Sequence, residues 1–166
     1  MRGLSAGGAH GIPRRRPRPP HRGREQRPPP GDEASTPEQW TARVADGAWT
    51  QGFSAYHAAA GIGGITDMVR GMANGEGLPP LDFGGIDQVN AEFLAQHPNP
   101  TKEEALALIR ENAPRSAAFA RGLSDAQLDT TAHLVATGTD VSVQQVAEML
   151  LVGHPLLHAE AISKAR

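Results

Sequence analysis

The sequence predicts an all-α protein, most simply a bundle of three long helices and several short ones. Three observations carry this expectation. No strand-period run of any length occurs. Apolar residues recur at helical spacing over long stretches, roughly residues 51–74, 101–122 and 142 to the C-terminus. Ser or Thr stands at helix-capping positions, at Thr36, Thr101, Ser124 and Ser142. There is no internal repeat, and with aromatics at 4% of residues the core must be built from Ala, Leu and Val.

The chain of 166 residues is long enough for one domain with a real core. Its net charge of −2 hides an asymmetry. Residues 1–36 hold eight arginines against three acids, and the remainder holds eight basic residues against fifteen acidic ones. An acidic body argues against specific nucleic-acid binding. There is no cysteine, so no disulfide, thiolate ligand or thiol nucleophile comes from the chain itself. No stretch approaches the ~18 consecutive apolar residues of a membrane span. The N-terminal arginines precede no apolar core of a secretion signal. The expectation is a cytoplasmic protein without membrane partners.

Residues 1–35 are rich in Pro, Arg and Gly and lack the apolar residues that would offset ordering entropy; they are expected to be a disordered tail. An extension without a role is the simpler reading, and a basic arm touching anionic surfaces is the alternative. The domain is expected over 36–166. Thr36 caps a short helix with Pro37 in its first turn, stopping near Asp46-Gly47. Trp40 and Trp49 are expected as core or lid aromatics.

The next helix runs from Gln51 to Asn74 with two apolar rows, Ala58, Ile62, Ile65, Val69 and Met72 beside Phe53, His57, Ala60, Gly64 and Met68. Gly61, Gly63 and Gly64 each cost about 1 kcal/mol of helix propensity, which points to close approach of another helix or a ligand. Gly75 to Gly85 reads as a loop long enough to close over a pocket. A helix follows over Ile86–His97 and ends at Pro98-Asn99-Pro100; His97 at its C-terminus suits the helix dipole and is left out of the site. A capping box, Thr101 with Glu104, opens a helix to about Gly122, which Pro114 should kink or end. Ser124 caps one turn, and Thr130–Asp140 is extended or loop with His133 exposed on it.

In the C-terminal helix, Val143, Val146, Ala147, Leu150, Leu151, His154, Leu157, His158, Ala161 and Ile162 share one face. His154 and His158 stand one turn apart on that apolar stripe, a spacing that can grip a single metal ion. Pro155 frees the Leu151 carbonyl and could bend the helix so as to re-aim His154. With His57 these imidazoles form a candidate histidine triad that leaves a coordination position open, the composition of a catalytic site. The alternative is three unrelated histidines hydrogen-bonded in a helical core. No phosphate-binding loop is present, and Ser54 and Ser163 lie in no nucleophile motif. Asp67 or Glu148 could support the ligands from behind; solvated helix positions are the simpler reading of both.

Trp40, Gly47-Ala48-Trp49-Thr50, Tyr56-His57-Ala58, Leu123-Ser124-Asp125-Ala126-Gln127-Leu128-Asp129 and Gly153-His154-Pro155-Leu156-Leu157-His158, in this order, resemble the DinB-like superfamily over about residues 37–166. The branch that looks most similar contains mycothiol-dependent maleylpyruvate isomerases. The resemblance implies a DinB-like four-helix bundle holding a divalent metal, zinc or nickel, on His57, His154 and His158. It implies an enzyme that ionises a low-molecular-weight thiol such as mycothiol on the metal, a transferase or isomerase acting on a small-molecule substrate. The alternative function is a non-catalytic helical ligand-binding or stress-associated protein. One departure stands out. The family's first helix should precede Trp40, where this chain has its Pro/Arg-rich tail, so an apolar groove is expected there: either residues 1–35 are not the native N-terminus, or a partner chain, for instance in a homodimer, fills it.

Overall fold

The structure is a computed structural model that describes residues 35–44 and 49–165. Except for Ser35, the tail lies outside the described residues, as do Asp46 and Gly47. The architecture is mostly helical, as expected: α1 (Pro37–Thr41), α2 (Gln51–Ala73), α3 (Phe83–Gln96), α4 (Lys102–Gly122), α5 (Asp125–Leu128), a hairpin of β1 (Thr131–Leu134) and β2 (Thr139–Ser142), α6 (Val143–Val146), a π-helical segment (Ala147–Gly153) and α7 (His154–Lys164). No described helix is long and apolar enough to cross a membrane.

The caps expected from the sequence are in place. Thr36, Thr101, Ser124 and Ser142 each accept a hydrogen bond from the backbone N–H three residues on, and Gln39, Glu104, Gln127 and Gln145 reach back to complete capping boxes. Helix α1 ends at Thr41, earlier than expected, and its Trp40 donates from Nε1 to the carbonyl of Pro100 at 2.8 Å. Helix α2 stops at Asn74 because Gly75 takes a left-handed φ of 87°, and the N–H groups of Gly75 and Glu76 bond back to Met72 and Gly71. That pairing satisfies carbonyls which the helix end would otherwise leave bare.

Helix α2 is the central element and packs on α4 and α7. Val69 and Met72 of one expected row and Phe53 of the other are buried, and beside them runs a buried line of small and polar residues, Gly52, Ala55, Ala59, Gly63 and Thr66. Small residues let the α4 backbone come close. A Cβ on Gly63 would lie 2.9 Å from Asn112 Oδ1, and Asn112 donates from Nδ2 to the Ala59 carbonyl. Gly61 faces His154, whereas Gly64 meets nothing within 4 Å; close approach therefore explains two of the three glycines. The main core gathers Val69, Met72, Ala73, Val143 and Val146, and a second cluster joins Val44, Ala55 and Ile162 to Trp40 and Trp49.

Four sequence expectations are corrected or sharpened. Helix α3 begins at Phe83, not Ile86, because Asp82 caps it through the N–H of Gly85. Helix α4 runs unbroken through Pro114. The segment read as extended or loop is an antiparallel hairpin in which Thr131 pairs with Ser142 and Leu134 with Thr139, with Gly138 at φ 67° in the turn. His133 lies on β1, exposed as expected, with Nδ1 2.9 Å from Asp140. Finally, the C-terminal helix is not uniform. The π segment shifts the helical phase, and Leu157 is 67% exposed while Val143, Val146 and Ile162 stay buried.

Candidate metal centre

His57 projects from α2, and His154 and His158 from successive turns of α7. The three rings come together. Nε2 of His154 lies 3.2 Å from Nε2 of His57 and 3.2 Å from Nε2 of His158, and each ring offers a nitrogen within 4.8 Å of the others. The cluster contains no carboxylate among the described residues. Metal–nitrogen bonds of about 2.0–2.1 Å in a tetrahedron place their nitrogens roughly 3.3 Å apart, so the observed spacing is that of ligands around one ion.

The local backbone explains how the pair on α7 reaches α2. In an α-helix the N–H of Pro155's position would bond to Leu151, and proline has none to give. The chain widens into the π segment immediately before the proline, and the His154 N–H bonds to the carbonyl of Met149, five residues back. Such π turns commonly sit at functional positions. The bend expected at Pro155 is thus a change of helical pitch, and it sets the rotation at which His154 enters the site.

The surroundings fix the rings. Ser54, one turn before His57, places Oγ 2.9 Å from His158 Nδ1. With Nδ1–H donated to that hydroxyl, the Nε2 lone pair of His158 points at the other imidazoles, the tautomer a metal ligand needs. Trp49 stacks almost parallel to His158, 5.6 Å between centroids at 8°, and also flanks His57 at 4.9 Å. Phe93 of α3 closes the opposite flank, edge-on to His57 at 5.6 Å. Gly61 makes room for His154, since a Cβ there would lie 3.0 Å from Cε1. The Nδ1 of His154 is buried without a hydrogen-bond partner, so on that side the ring is placed by its contact with Gly61.

Burial pushes the His57 imidazole down to about 4, with the neighbouring His158 and His154 adding to the effect. Burial also lowers His154. In both rings burial favours the neutral imidazole, the form that can bind a metal. The chemistry of this donor set, three imidazole nitrogens converging with no carboxylate beside them among the described residues, fits a borderline divalent cation.

The other sequence candidates are placed elsewhere. Asp67 faces solvent and pairs with Arg70 at 2.6 Å and Arg115 at 3.8 Å, and Glu148 accepts from Gln144 at 2.9 Å; neither supports the imidazoles. His97 lies against Phe93 and Tyr56, with Nδ1 3.3 Å from the tyrosine hydroxyl. The sequence reading missed Ser54 and Phe93. Ser54 sits three residues before His57 and so on its face of α2, a signal that was available. Phe93 gave none.

A cleft of about 500 Å³ opens on one side of the imidazoles, with His57 and His154 in its wall and α2, α3, β1, α6 and the π segment around it. Comparison with curated proteins and with solved structures returns no match. A family model for the DinB superfamily matches residues 33–162, which spans both helices that carry the histidines. The chain belongs to the DinB superfamily.

Proposed function

We propose that this protein is a divalent-metal-dependent enzyme that holds one zinc or nickel ion on Nε2 of His57, His154 and His158. The observation that carries the reading is the convergence of three imidazoles, with Nε2 of His154 3.2 Å from Nε2 of both His57 and His158, and with Ser54 Oγ 2.9 Å from His158 Nδ1. A metal bound there supplies Lewis acidity, lowering the pKa of a coordinated water or thiol, or polarising a carbonyl. The chain's own residues position and exclude. Trp49 and Phe93 wall the triad on two flanks, and the cleft beside it admits a small molecule.

The finer reading is a transferase or isomerase that uses a low-molecular-weight thiol such as mycothiol. Its support is the absence of any cysteine in the chain, so that a thiol nucleophile would have to be supplied from outside. A second reading, a non-catalytic ligand carrier, is favoured by the absence of a carboxylate from the cluster, which leaves no side-chain base at the triad among the described residues.

The test is metal content after purification without a histidine tag. We expect about one equivalent of divalent metal in the wild type and loss of it in His154→Ala. A metal-free wild type, or a His154→Ala protein that keeps its metal, overturns the metal reading. Metal-loaded protein assayed with mycothiol, glutathione and bacillithiol on simple electrophiles then separates enzyme from carrier.

A further inference from the structure

The cleft beside the triad has a composition that the metal does not explain. Among the described residues that line it none is Asp, Glu, Lys or Arg, and the polar side chains are the two imidazoles and one amide, Asn90. The rest is aliphatic, methionine and a single phenyl ring, Phe93. The volume of about 500 Å³ falls within the range of small-molecule sites, which are largely apolar with a few placed polar groups.

Helix α3 forms one wall and has no buried residue. Its Ile86 and Val89 line the cleft yet remain 36% and 50% exposed, and Met149 on the opposite side is 47% exposed. Large apolar groups facing one another across an open cleft leave favourable burial unrealised. An apolar occupant would cover all three at once. A charged or heavily hydroxylated one would lose its water and find, among the described residues, only Asn90 and the imidazoles to replace it.

We propose that this cleft is a substrate site for a neutral, largely apolar small molecule, an acyl or aryl carbonyl compound, whose one polar end lies at His57 and His154. The class assigned to the apolar body stands on the lining alone; the role given to the polar end rests on the metal reading above. The polar body of a thiol such as glutathione, with its carboxylates and ammonium, does not belong in this cleft and would approach the triad from another side.

The experiment uses the full chain, both zinc-loaded and chelated, with the neutral fluorophore N-phenyl-1-naphthylamine as probe and metal content measured on the same samples. We expect one probe per chain in both forms. In the zinc-loaded form octanohydroxamate should displace it at least about 100-fold more tightly than acetohydroxamate, because six further methylenes are buried. Gly64→Trp places an indole in open space at the cleft wall, since nothing lies within 4 Å of a Cβ there. Val89→Asp places a carboxylate on an exposed position of the facing wall. Each should weaken the probe at least about 10-fold with an unchanged far-UV circular dichroism spectrum and unchanged metal content. Probe binding that ignores both substitutions, or displacement of the probe by millimolar glutathione, overturns the proposal. Probe binding in a protein that never takes up metal upholds the apolar site and sinks the metal reading instead; stoichiometric metal without probe binding does the reverse.

Discussion

Ser54 Oγ, 2.9 Å from His158 Nδ1, is the contact that turns an imidazole on an apolar stripe into an oriented donor. The histidines themselves were legible in the sequence, because polar rings at helical spacing among apolar residues need a partner. Ser54 was not singled out, because a serine without a nucleophile motif announces nothing until the opposing helix is in place. On the metal reading its role is to accept the Nδ1–H of His158 and so leave Nε2 for the ion. We expect Ser54→Ala to leave the protein folded and to lower metal affinity by about 10- to 100-fold, the usual cost of removing such a support. Competition with a chromogenic chelator measures this. An unchanged affinity would mean that Trp49 stacking alone holds the ring. Ser54→Thr should retain most of the wild-type affinity, since it keeps the hydroxyl.

Helix by helix, the capped starts of α1, α4, α5 and α6 could be read directly, since a cap and its reciprocal partner are local. Three features could not. Helix α3 starts three residues early because Asp82 caps through two glycines that look like helix breakers in isolation. The hairpin strands are four residues each, too short for a period to show. The π segment is a consequence of Pro155 and of the packing of α7 on α2, and it rotates Leu157 out of the expected stripe. Gly61 is where two elements meet at the site, and its substitution has opposing effects. Gly61→Ala should leave the metal-free protein as stable or up to about 1 kcal/mol more stable through helix propensity. The new methyl would sit 3.0 Å from His154 Cε1, tight enough to push the ring a few tenths of an ångström. We expect metal affinity to fall about 10-fold. Urea unfolding in chelator, paired with metal titration, reads both effects; a substitution that raised affinity would show that Gly61 does not set the position of His154.

Across the whole molecule the triad spans α2 and α7, residues 97 apart in the chain at the His57–His154 contact. The resemblance to a bundle was legible because those two helices carry their motifs in order. Val152, Leu156 and Leu157 are apolar and each more than half exposed. A cation bound between α2 and α7 would bind only the folded chain and so would stabilise it by mass action, by about 2.7 kcal/mol at a free concentration 100 times its dissociation constant. Chelation should therefore lower the melting temperature, and restoring zinc should recover it. The metal-free protein should also be acid-sensitive in a defined window. The unfolded His57 takes a proton near pH 6.5 and the folded one only near 4. The unfolded state thus binds more protons between those values, so stability is full above about pH 6.5 and is lost as pH falls towards 4. His154 is shifted in the same direction and adds to the loss. Thermal melts of chelated protein from pH 7.5 to 4 should show this decline, and His57→Phe, which removes the group that must stay neutral, should flatten it. A melting temperature that stayed level through that window in the chelated wild type would mean that the imidazoles open to solvent at little cost, and that the triad is not the fastening between the two helices.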